Sequence, residues 1–279
     1  MRLAHLVCTP DVNPRPGQPG MRGDLATCFA QLAQIGYQGV ELSIADPARV
    51  LPLVPEIKRL AEGYRLHVAA IATDEMAFQG GLSLGSDDLD LAFRSDQQMR
   101  EAVKIAGELG CSLNIGLVRG RMPDGGAETY QTAKMVAAIL GTTGLGPFAL
   151  ENGVRLTVEP IPPPAMDWIC DTATAVNVIV RVNRPVVRIL LSSAQVTTYE
   201  ASTAGAVEKA APFLQHVHLS EEDGSVPGRG TADIAGLVSE LGKVGYRRWL
   251  SVVAVGDNGY NAARDACEHM SGILPRHED

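Results

Sequence analysis

The chain has 279 residues, of which 46% are hydrophobic, which is enough apolar surface for one large α/β domain or two small ones. We expect one domain over residues 1–279. The formal net charge is −8 and the basic residues are dispersed, so the sequence lacks the basic surface that nucleic-acid binding requires. These properties favour a small-molecule partner and exclude a nucleic acid.

The N-terminal residues and the cysteines indicate the cellular compartment. Pro10 and polar residues follow the first short apolar run, so we expect neither a signal peptide nor a membrane span. The cysteines are odd in number, lie far apart and have no CxxC spacing: Cys8, Cys28, Cys111, Cys170 and Cys267. We therefore expect reduced cysteines in a cytoplasmic protein that binds no membrane.

Short β-branched or apolar runs, each followed by a loop and an amphipathic stretch, carry the fold signal. The predicted strands are residues 2–8, 39–44, 66–73, 112–117, 155–159, 187–192, 213–219 and 249–255. The predicted helices are residues 25–35, 54–63, 88–110, 130–152, 172–182, 203–211 and 234–245. This alternation favours a parallel sheet, and eight strands are the number that closes a (β/α)8 TIM barrel of the α/β class.

The carboxyl ends of the strands in such a barrel meet at one mouth, where active sites lie. Proline-rich segments follow the first and fifth predicted strands, at residues 10–19 and 160–164, where functional loops belong. The strand ends supply His5, Cys8, Glu41, Asp74, Glu75, Asn114, Glu159, Ser192, Gln195, His218 and Glu221. The eighth strand supplies only Val252, Val253 and Ala254.

Two of these residues are the candidates for chemistry. Glu159 ends an apolar strand and precedes a proline-rich loop, which favours a functional carboxylate over one paired with a nearby arginine. His218 is expected in the pocket rather than packed in the core. His216 is predicted to point the opposite way and to be structural. Glu41 fits catalysis and the anchoring of loops equally well.

Seven residues are candidates for holding a substrate, Glu41 among them: Asn114, Gln195, Glu221, Trp168, Glu41, Arg119 and Ser192. The amide and carboxylate side chains among them could bind hydroxyl groups or could cap helices and turns. Trp168 offers a planar face to a sugar ring or packs as an ordinary core tryptophan. Arg119 could bind a carboxylate or phosphate group or could be a solvated loop charge.

Several sequence phrases, taken together and in order, resemble the xylose-isomerase-like TIM barrels. This family includes tagatose/psicose-type epimerases, hydroxypyruvate isomerase, inosose isomerases and dehydratases, and endonuclease IV. The phrases are IGYQGVEL at 35–42, KIAGELGC at 104–111, ENGVRLTVEP at 151–160 and HVHLSE at 216–221, with PGRG at 227–230. The resemblance spans most of the chain and implies the same barrel.

The resemblance also implies a divalent-metal site, which this chain keeps only in part. The family holds its ion with a Glu on strand five, an Asp on strand six, a His on strand seven and a Glu on strand eight. Glu159 and His218 match the first and third ligands. The sixth-strand phrase Leu-Asp-x-x-His reads LSSAQ at 191–195, and Val253 lies at or next to the eighth-strand position.

One carboxylate and one imidazole bind Mg²⁺ or Mn²⁺ poorly, because these ions prefer several oxygen ligands. We therefore expect no tightly bound metal and no other cofactor. The chemistry of endonuclease IV is excluded as well, since its zinc cluster needs many His and acidic ligands and this chain has six His in all.

These residues predict an isomerase- or epimerase-like enzyme that acts on a sugar or small polyhydroxylated carbonyl compound by proton transfer next to the carbonyl. Glu159, with a pKa raised by burial, is predicted to be the base, and His218 to polarise the carbonyl or shuttle a proton. Two alternatives remain open. One is a metal-independent lyase, dehydratase or cyclase that uses the same pair, and the other is a non-catalytic relative that binds a ligand or supports a partner subunit. An oligomer is compatible with all three.

Overall fold

Eight parallel strands form a closed barrel in the computed structural model, which describes residues 1–122, 126–140, 144–255 and 259–274. Each strand pairs with the next along the chain, and β8 pairs with β1. The strands are β1 Arg2–Cys8, β2 Gly39–Ser43, β3 His67–Ala72, β4 Ser112–Ile115, β5 Leu156–Val158, β6 Val187–Ser192, β7 Leu214–Leu219 and β8 Trp249–Val252. The predicted (β/α)8 TIM barrel is confirmed.

Helices surround the barrel and also begin at several strand ends. They are α1 Leu25–Ile35, α2 Pro47–Val50, α3 Val54–Tyr64, α4 Asp74–Phe78, α5 Leu89–Leu109, α6 Glu128–Leu140, α7 Leu145–Glu151, α8 Thr172–Val182, α9 Ser193–Thr198, α10 Thr203–Ala210, α11 Ile234–Lys243 and α12 Tyr260–Ile273. Single 3₁₀ turns occur at Leu51–Leu53 and Leu117–Arg119. The short helices α4 and α9 start directly after β3 and β6, so they bring side chains to the mouth of the barrel.

The first helix illustrates how the sequence builds each αβ unit. Asp24 caps α1 by accepting a hydrogen bond of 2.9 Å from the Thr27 amide. The buried face of the helix consists of Leu25, Cys28, Phe29 and Leu32, at helical spacing. Gly36 ends the helix with a φ of 112°, a left-handed conformation that glycine adopts without strain. The chain then enters β2 within three residues.

The helix predicted over residues 130–152 is wrong as a single element. Its described parts are two helices, α6 and α7, and residues 141–143 lie outside the described ranges. Gly144 precedes α7, and Pro147 lies in its first turn, where the missing proline N–H costs little. The prediction also omitted α12, whose buried face is made mostly of small residues.

Residues 128–151 are the one candidate for a membrane span that a search of the described residues finds. The stretch is long and apolar enough to cross a membrane by length and composition alone, and it includes residues outside the described ranges. Its described parts, α6 and α7, pack on each other and on α8 and α5 respectively. Packed helices of other proteins pass the same test, so this is a weak indication of a membrane span.

The loop after β1 is tied to α4, the short helix after β3, and to its C-cap residue Gln79. The Arg15 guanidinium lies 2.7 Å from a carboxylate oxygen of Glu75, which is buried. The Gln79 side chain accepts a hydrogen bond from the Asn13 amide and donates one to the Asn13 carbonyl. These bonds fix the proline-rich segment above β1 and β3.

Candidate functional site

Strands β4, β5 and β7 bring Asn114, Glu159 and His218 together at the mouth. Glu159 directly follows β5, and its Oε2 accepts a hydrogen bond of 2.7 Å from Asn114 Nδ2 on β4. The other carboxylate oxygen, Oε1, lies 3.3 Å from His218 Nδ1 on β7. Glu159 is 7% exposed and His218 5% exposed, so both reach the mouth while most of each side chain is buried. The structure thus brings both predicted chemical groups into contact.

A second layer of polar groups lies inside the barrel, behind His218. Glu41 on β2 is completely buried, and its two carboxylate oxygens contact two imidazoles. His218 Nε2 donates to Glu41 Oε1 at 3.0 Å, and His216 Nε2 lies 2.8 Å from Glu41 Oε2 and 2.8 Å from Ser251 Oγ. We call Glu41, His216 and His218 the Glu–His cluster.

The orientation predicted for His216 is wrong. The prediction had His216 and His218 pointing to opposite faces, yet their rings lie 5.4 Å apart and both contact Glu41. Side chains alternate along a strand, so residues two positions apart share a face. Both imidazoles of β7 therefore point into the barrel.

Charge pairing determines the protonation of this network. Burial alone would lower the pKa of His218, but the negative charges of Glu41 and Glu159 and the hydrogen bonds to them raise it well above its usual value. Burial would likewise raise the pKa of Glu41, but the charges and hydrogen bonds of His218 and His216 hold it well below its ordinary range. His218 is therefore an imidazolium between two carboxylates.

The pKa shift predicted for Glu159 is wrong in direction. Burial does favour the neutral carboxyl, but the charge of His218, the hydrogen bonds from His218 and Asn114, and the charge of Arg119 outweigh it. The pKa of Glu159 consequently lies below its ordinary value. Glu159 is ionised at neutral pH, as a base must be, although the low pKa makes it a weaker base than predicted.

Asp74 is a second carboxyl group at the mouth, at the start of α4. Its Oδ1 accepts a hydrogen bond of 2.8 Å from the Leu117 amide. A Cβ at position 116 would lie 2.3 Å from this oxygen and 3.3 Å from Asn114 Nδ2, so only glycine leaves room for Asp74 beside Asn114. Burial and the charge of Glu159 raise the pKa of Asp74 to about 6. The sequence placed Asp74 at a strand end but gave it no role.

The sequence matches the xylose isomerase-like TIM barrel family over residues 29–272, which is most of the barrel. The chain belongs to this family. No curated protein sequence matches the chain.

Solved structures of this family share the fold at low sequence identity. A D-psicose 3-epimerase, solved in the presence of D-fructose, superposes with a TM-score of 0.80 at 15% identity and covers 98% of this chain and 99% of its own. The D-psicose 3-epimerase of Clostridium cellulolyticum H10, solved with D-tagatose, has a TM-score of 0.77 at 17% identity, over 99% and 100% of the two chains. An AP endonuclease, family 2, from Brucella melitensis has a TM-score of 0.73 at 17% identity, over 99% and 100%.

The metal site of the xylose isomerase-like family does not fit the residues present here. Ser192, the last residue of β6, lies opposite His218 in the strand ladder, and Val253 follows β8. Neither side chain supplies a carboxylate, so Glu159 and His218 remain as two protein ligands where the family uses four. Among the described residues a different set could hold an ion: Glu41, His216 and His218, whose ligand atoms lie within 4.8 Å of one another.

Three of the residues predicted to hold substrate are hydrogen-bonded to loop backbone. The buried Arg119 guanidinium donates to the carbonyls of Gly116, Glu159, Trp168 and Ile169. Trp168 is 1% exposed and donates its indole N–H to the Gly120 carbonyl at 2.7 Å. The Glu221 carboxylate accepts the amide protons of Gly228 and Ala232. These side chains hold the loops after β4, β5 and β7.

The loop after β6 carries the remaining predicted residue, Gln195. Gln195 lies in α9, is buried, and donates through Nε2 to Glu200 Oε1 at 2.7 Å. Its amide oxygen is buried and has no hydrogen-bond partner among the residues that the structure describes. An unpaired buried acceptor is costly.

Proposed function

We propose that this protein is an isomerase- or epimerase-like enzyme that acts on a sugar or small polyhydroxylated carbonyl compound by proton transfer next to the carbonyl. The observation that supports the proposal most strongly is the ionised Glu159 at the end of β5, held by Asn114 and by the imidazolium of His218. The fold adds support, because solved structures with the same barrel are described as epimerases of psicose and ribulose.

Glu159 is the proposed base. Its Oε2 is held by Asn114, and its Oε1 faces His218 Nδ1 at 3.3 Å, which is longer than a strong charged hydrogen bond. A substrate carbon next to a carbonyl would lose its proton to Glu159. The electron pair of the broken C–H bond would move into the carbonyl, giving an enolate whose negative oxygen needs a positive partner.

His218 is the proposed partner of that oxygen. Its Nε2 proton is engaged by Glu41, which leaves Nδ1–H as the donor that faces the mouth. A charged donor placed in a buried site stabilises a developing oxyanion strongly. His218 therefore supplies electrophilic stabilisation at the place where relatives of this family use an ion.

Asp74 is the proposed second acid–base group. Epimerisation needs a group that returns a proton to the carbon from the other side, and β8 supplies no carboxylate for this step. With a pKa of about 6, the Asp74 carboxyl carries a proton in mildly acidic solution and lies beside Asn114. It is the described carboxyl at the mouth best suited to donate.

The same acid also favours a second candidate function, a metal-independent dehydratase. A protonated Asp74 could protonate a hydroxyl group on the carbon next to the enolate, and this hydroxyl would leave as water. The difference between the two functions lies in the product: an epimer keeps all atoms of the substrate, whereas a dehydration product has lost one water.

Proton exchange tests the proposal directly. The purified protein is incubated in D₂O with a panel of ketopentoses, ketohexoses and keto-glycosides, and NMR follows deuterium at the carbon next to the carbonyl. We expect exchange and epimer formation for at least one member with the unchanged chain and not with Glu159→Gln. Water loss without epimer would support the dehydratase. Exchange that persists at the same rate in Glu159→Gln would refute Glu159 as the base.

A further inference from the structure

We infer that the Glu–His cluster inside the barrel is a binding site for one divalent cation of the zinc class, distinct from the metal position of the xylose isomerase-like family. The ion would be held by Glu41 and by the Nε2 atoms of His216 and His218. Glu159 and His218 Nδ1, the residues that match two ligands of the family, face each other on the other side of the His218 ring.

The backbone geometry places three ligand atoms around one point. His216 and His218 are two residues apart on β7 and point into the barrel, and Glu41 reaches them from β2 on the far side of β8 and β1. The two N···O contacts are 2.8 and 3.0 Å. A tetrahedral ion with metal–ligand bonds of about 2.0–2.2 Å separates its ligand atoms by about 3.3–3.6 Å. The ligand atoms of the Glu–His cluster lie within 4.8 Å of one another, so a shift of about half an ångström in each hydrogen-bonded pair makes room for the ion.

The charge of the network also matches a divalent ion. Glu41 and Glu159 place two negative charges on either side of one imidazole, inside the barrel and at its mouth. A divalent cation that replaces the Nε2 protons of both histidines leaves two neutral imidazoles, and its two positive charges balance the two carboxylates. Buried carboxylates are tolerated only when paired or metal-bound, so this occupancy is favourable.

The surroundings have the form that metal-binding histidines usually show. A ligating imidazole commonly donates its other N–H to a carboxylate, which fixes the ring and raises its basicity. His218 Nδ1 faces Glu159 Oε1 in this way at 3.3 Å. On the other side, Ser251 Oγ lies 2.8 Å from His216 Nε2, close enough to become a further oxygen ligand.

The ligand set selects the class of ion. Two imidazole nitrogens and one carboxylate suit Zn²⁺, Co²⁺ or Fe²⁺, whereas Mg²⁺ and Mn²⁺ prefer sites made of oxygen. The site therefore differs from the family site both in place and in the metal it prefers. The Nδ1–H of His218 stays directed at Glu159 when the ion is bound.

Metal titration of the full chain tests this inference. The protein is dialysed against a chelator, and Zn²⁺ is titrated against a chromophoric competitor, with Co²⁺ as the spectroscopic probe. We expect one Zn²⁺ per chain with a dissociation constant of about 1 µM or below, a Zn²⁺-dependent rise in Tm, and Co²⁺ absorption of a low-symmetry site with nitrogen ligands.

A matched pair of variants at one position identifies the ligands. His216→Gln keeps a polar side chain that can reach Glu41 but removes the imidazole, and we expect it to weaken Zn²⁺ binding by about 100-fold or more. His216→Cys restores a zinc ligand and should retain stoichiometric binding. His5→Gln changes another buried histidine and should leave Zn²⁺ affinity unchanged. Circular dichroism without metal confirms that each variant is folded.

Glu159→Gln separates this site from the family site. If the ion occupied the family position, Glu159 would be a ligand and its loss would abolish Zn²⁺ binding. In the Glu–His cluster Glu159 only supports His218, so Glu159→Gln should weaken Zn²⁺ binding by about 10–100-fold. The inference is overturned if the dialysed protein takes up no Zn²⁺ at 100 µM, as measured by metal analysis. It is equally overturned if His216→Gln binds Zn²⁺ as tightly as the unchanged chain. Neither result depends on the D₂O exchange experiment, so the proposed function stands or falls separately.

Discussion

The two sides of the barrel mouth differ in what they can do chemically. On one side, β3, β4, β5 and β7 present Asp74, Asn114, Glu159 and His218, which form one network of hydrogen bonds and charges. On the other side, β6 ends on Ser192 and β8 is followed by Val253. We propose that the first side removes and returns protons, whereas the described residues Ser192 and Val253 on the second side offer no carboxylate for this.

This difference shows that the fold and the chemistry depend on separate residues. The closed barrel needs inward-packed strands and amphipathic helices, and Ser192 and Val253 satisfy these needs as well as acidic residues would. The ion of the family needs anionic ligands, which these two residues do not provide. A barrel can thus keep its shape while its polar groups change, and we propose that here Asp74 at the mouth and Glu41 and His216 beneath it carry the chemistry instead.

Removing the carboxylate of Glu159, the proposed base, should have the largest effect on kcat. We expect Glu159→Gln to lower kcat by about 10³-fold, because the amide cannot accept the proton and general base catalysis contributes about 10²–10⁴-fold. Deuterium exchange and product formation under saturating substrate measure the effect. Glu222→Gln, an exposed carboxylate beyond β7, is the control and should leave kcat unchanged. A loss of less than about tenfold in Glu159→Gln would show that the two sides do not differ as described.

Placing carboxylates at the ends of β6 and β8 should recreate the metal site of the family. We expect the double variant Ser192→Asp, Val253→Glu to bind Mn²⁺ at least about 100-fold more tightly than the unchanged chain, because four ligands then surround one position. Electron paramagnetic resonance of Mn²⁺ measures the affinity. Adding Glu159→Gln should abolish the gain. If the gain survives this third change, the new ligands do not act together with Glu159.

The fold was largely predictable from the sequence because its signals are local. The predicted bounds of β1, β6, α1 and α8 agree with the structure, since each is a short periodic run with clear end residues. The last helix, α12, was missed because its buried face includes Ala262, Ala263 and Ala266, whose small side chains give little periodic contrast. Local periodicity fails where the packed residues are small.

The site was predictable only in part because its contacts join distant strands. Glu159 and His218 were predicted from their positions at strand ends, and their side chains lie 3.3 Å apart in the structure. The contact of His216 with Glu41 joins residues 175 positions apart, and depends on how the barrel closes. Trp168 and Arg119 stand in loops whose folding no local pattern specifies, and the structure uses them to bind backbone.

Replacing Asp74, the proposed acid, should alter the pH dependence of turnover. Glu159, His218 and Arg119 are the charged groups that act on Asp74. The pKa of Asp74 is about 6, so its carboxyl is protonated below this pH and ionised above it. Turnover that needs the protonated form therefore falls as the pH rises through 6. We expect Asp74→Asn to lower kcat by about 10–100-fold at pH 5, to have a smaller effect at pH 8, and to remove this descending limb. Kinetics at pH 5 to 8 check it, and an unchanged limb would exclude Asp74 as the acid.

The smallest effect concerns Glu221, which follows β7 on the same strand end as His218 and is hydrogen-bonded to its own loop. Its two carboxylate oxygens accept the amide protons of Gly228 and Ala232, and a Cβ at position 230 would lie 2.6 Å from Oε2, so the loop is closed tightly around the carboxylate. In Glu221→Gln one amide N–H faces an NH₂ group and loses its acceptor, which should cost about 1–2 kcal/mol of unfolding free energy with no change in kcat at saturating substrate.

Urea unfolding and the exchange assay measure the two quantities. The neighbouring exposed carboxylate provides the comparison, since Glu222→Gln should cost less than about 0.5 kcal/mol. The contrary outcome is that Glu221→Gln lowers kcat about as much as Glu159→Gln while the unfolding free energy is unchanged. In that case Glu221 takes part in the chemistry, and its purely structural role is refuted.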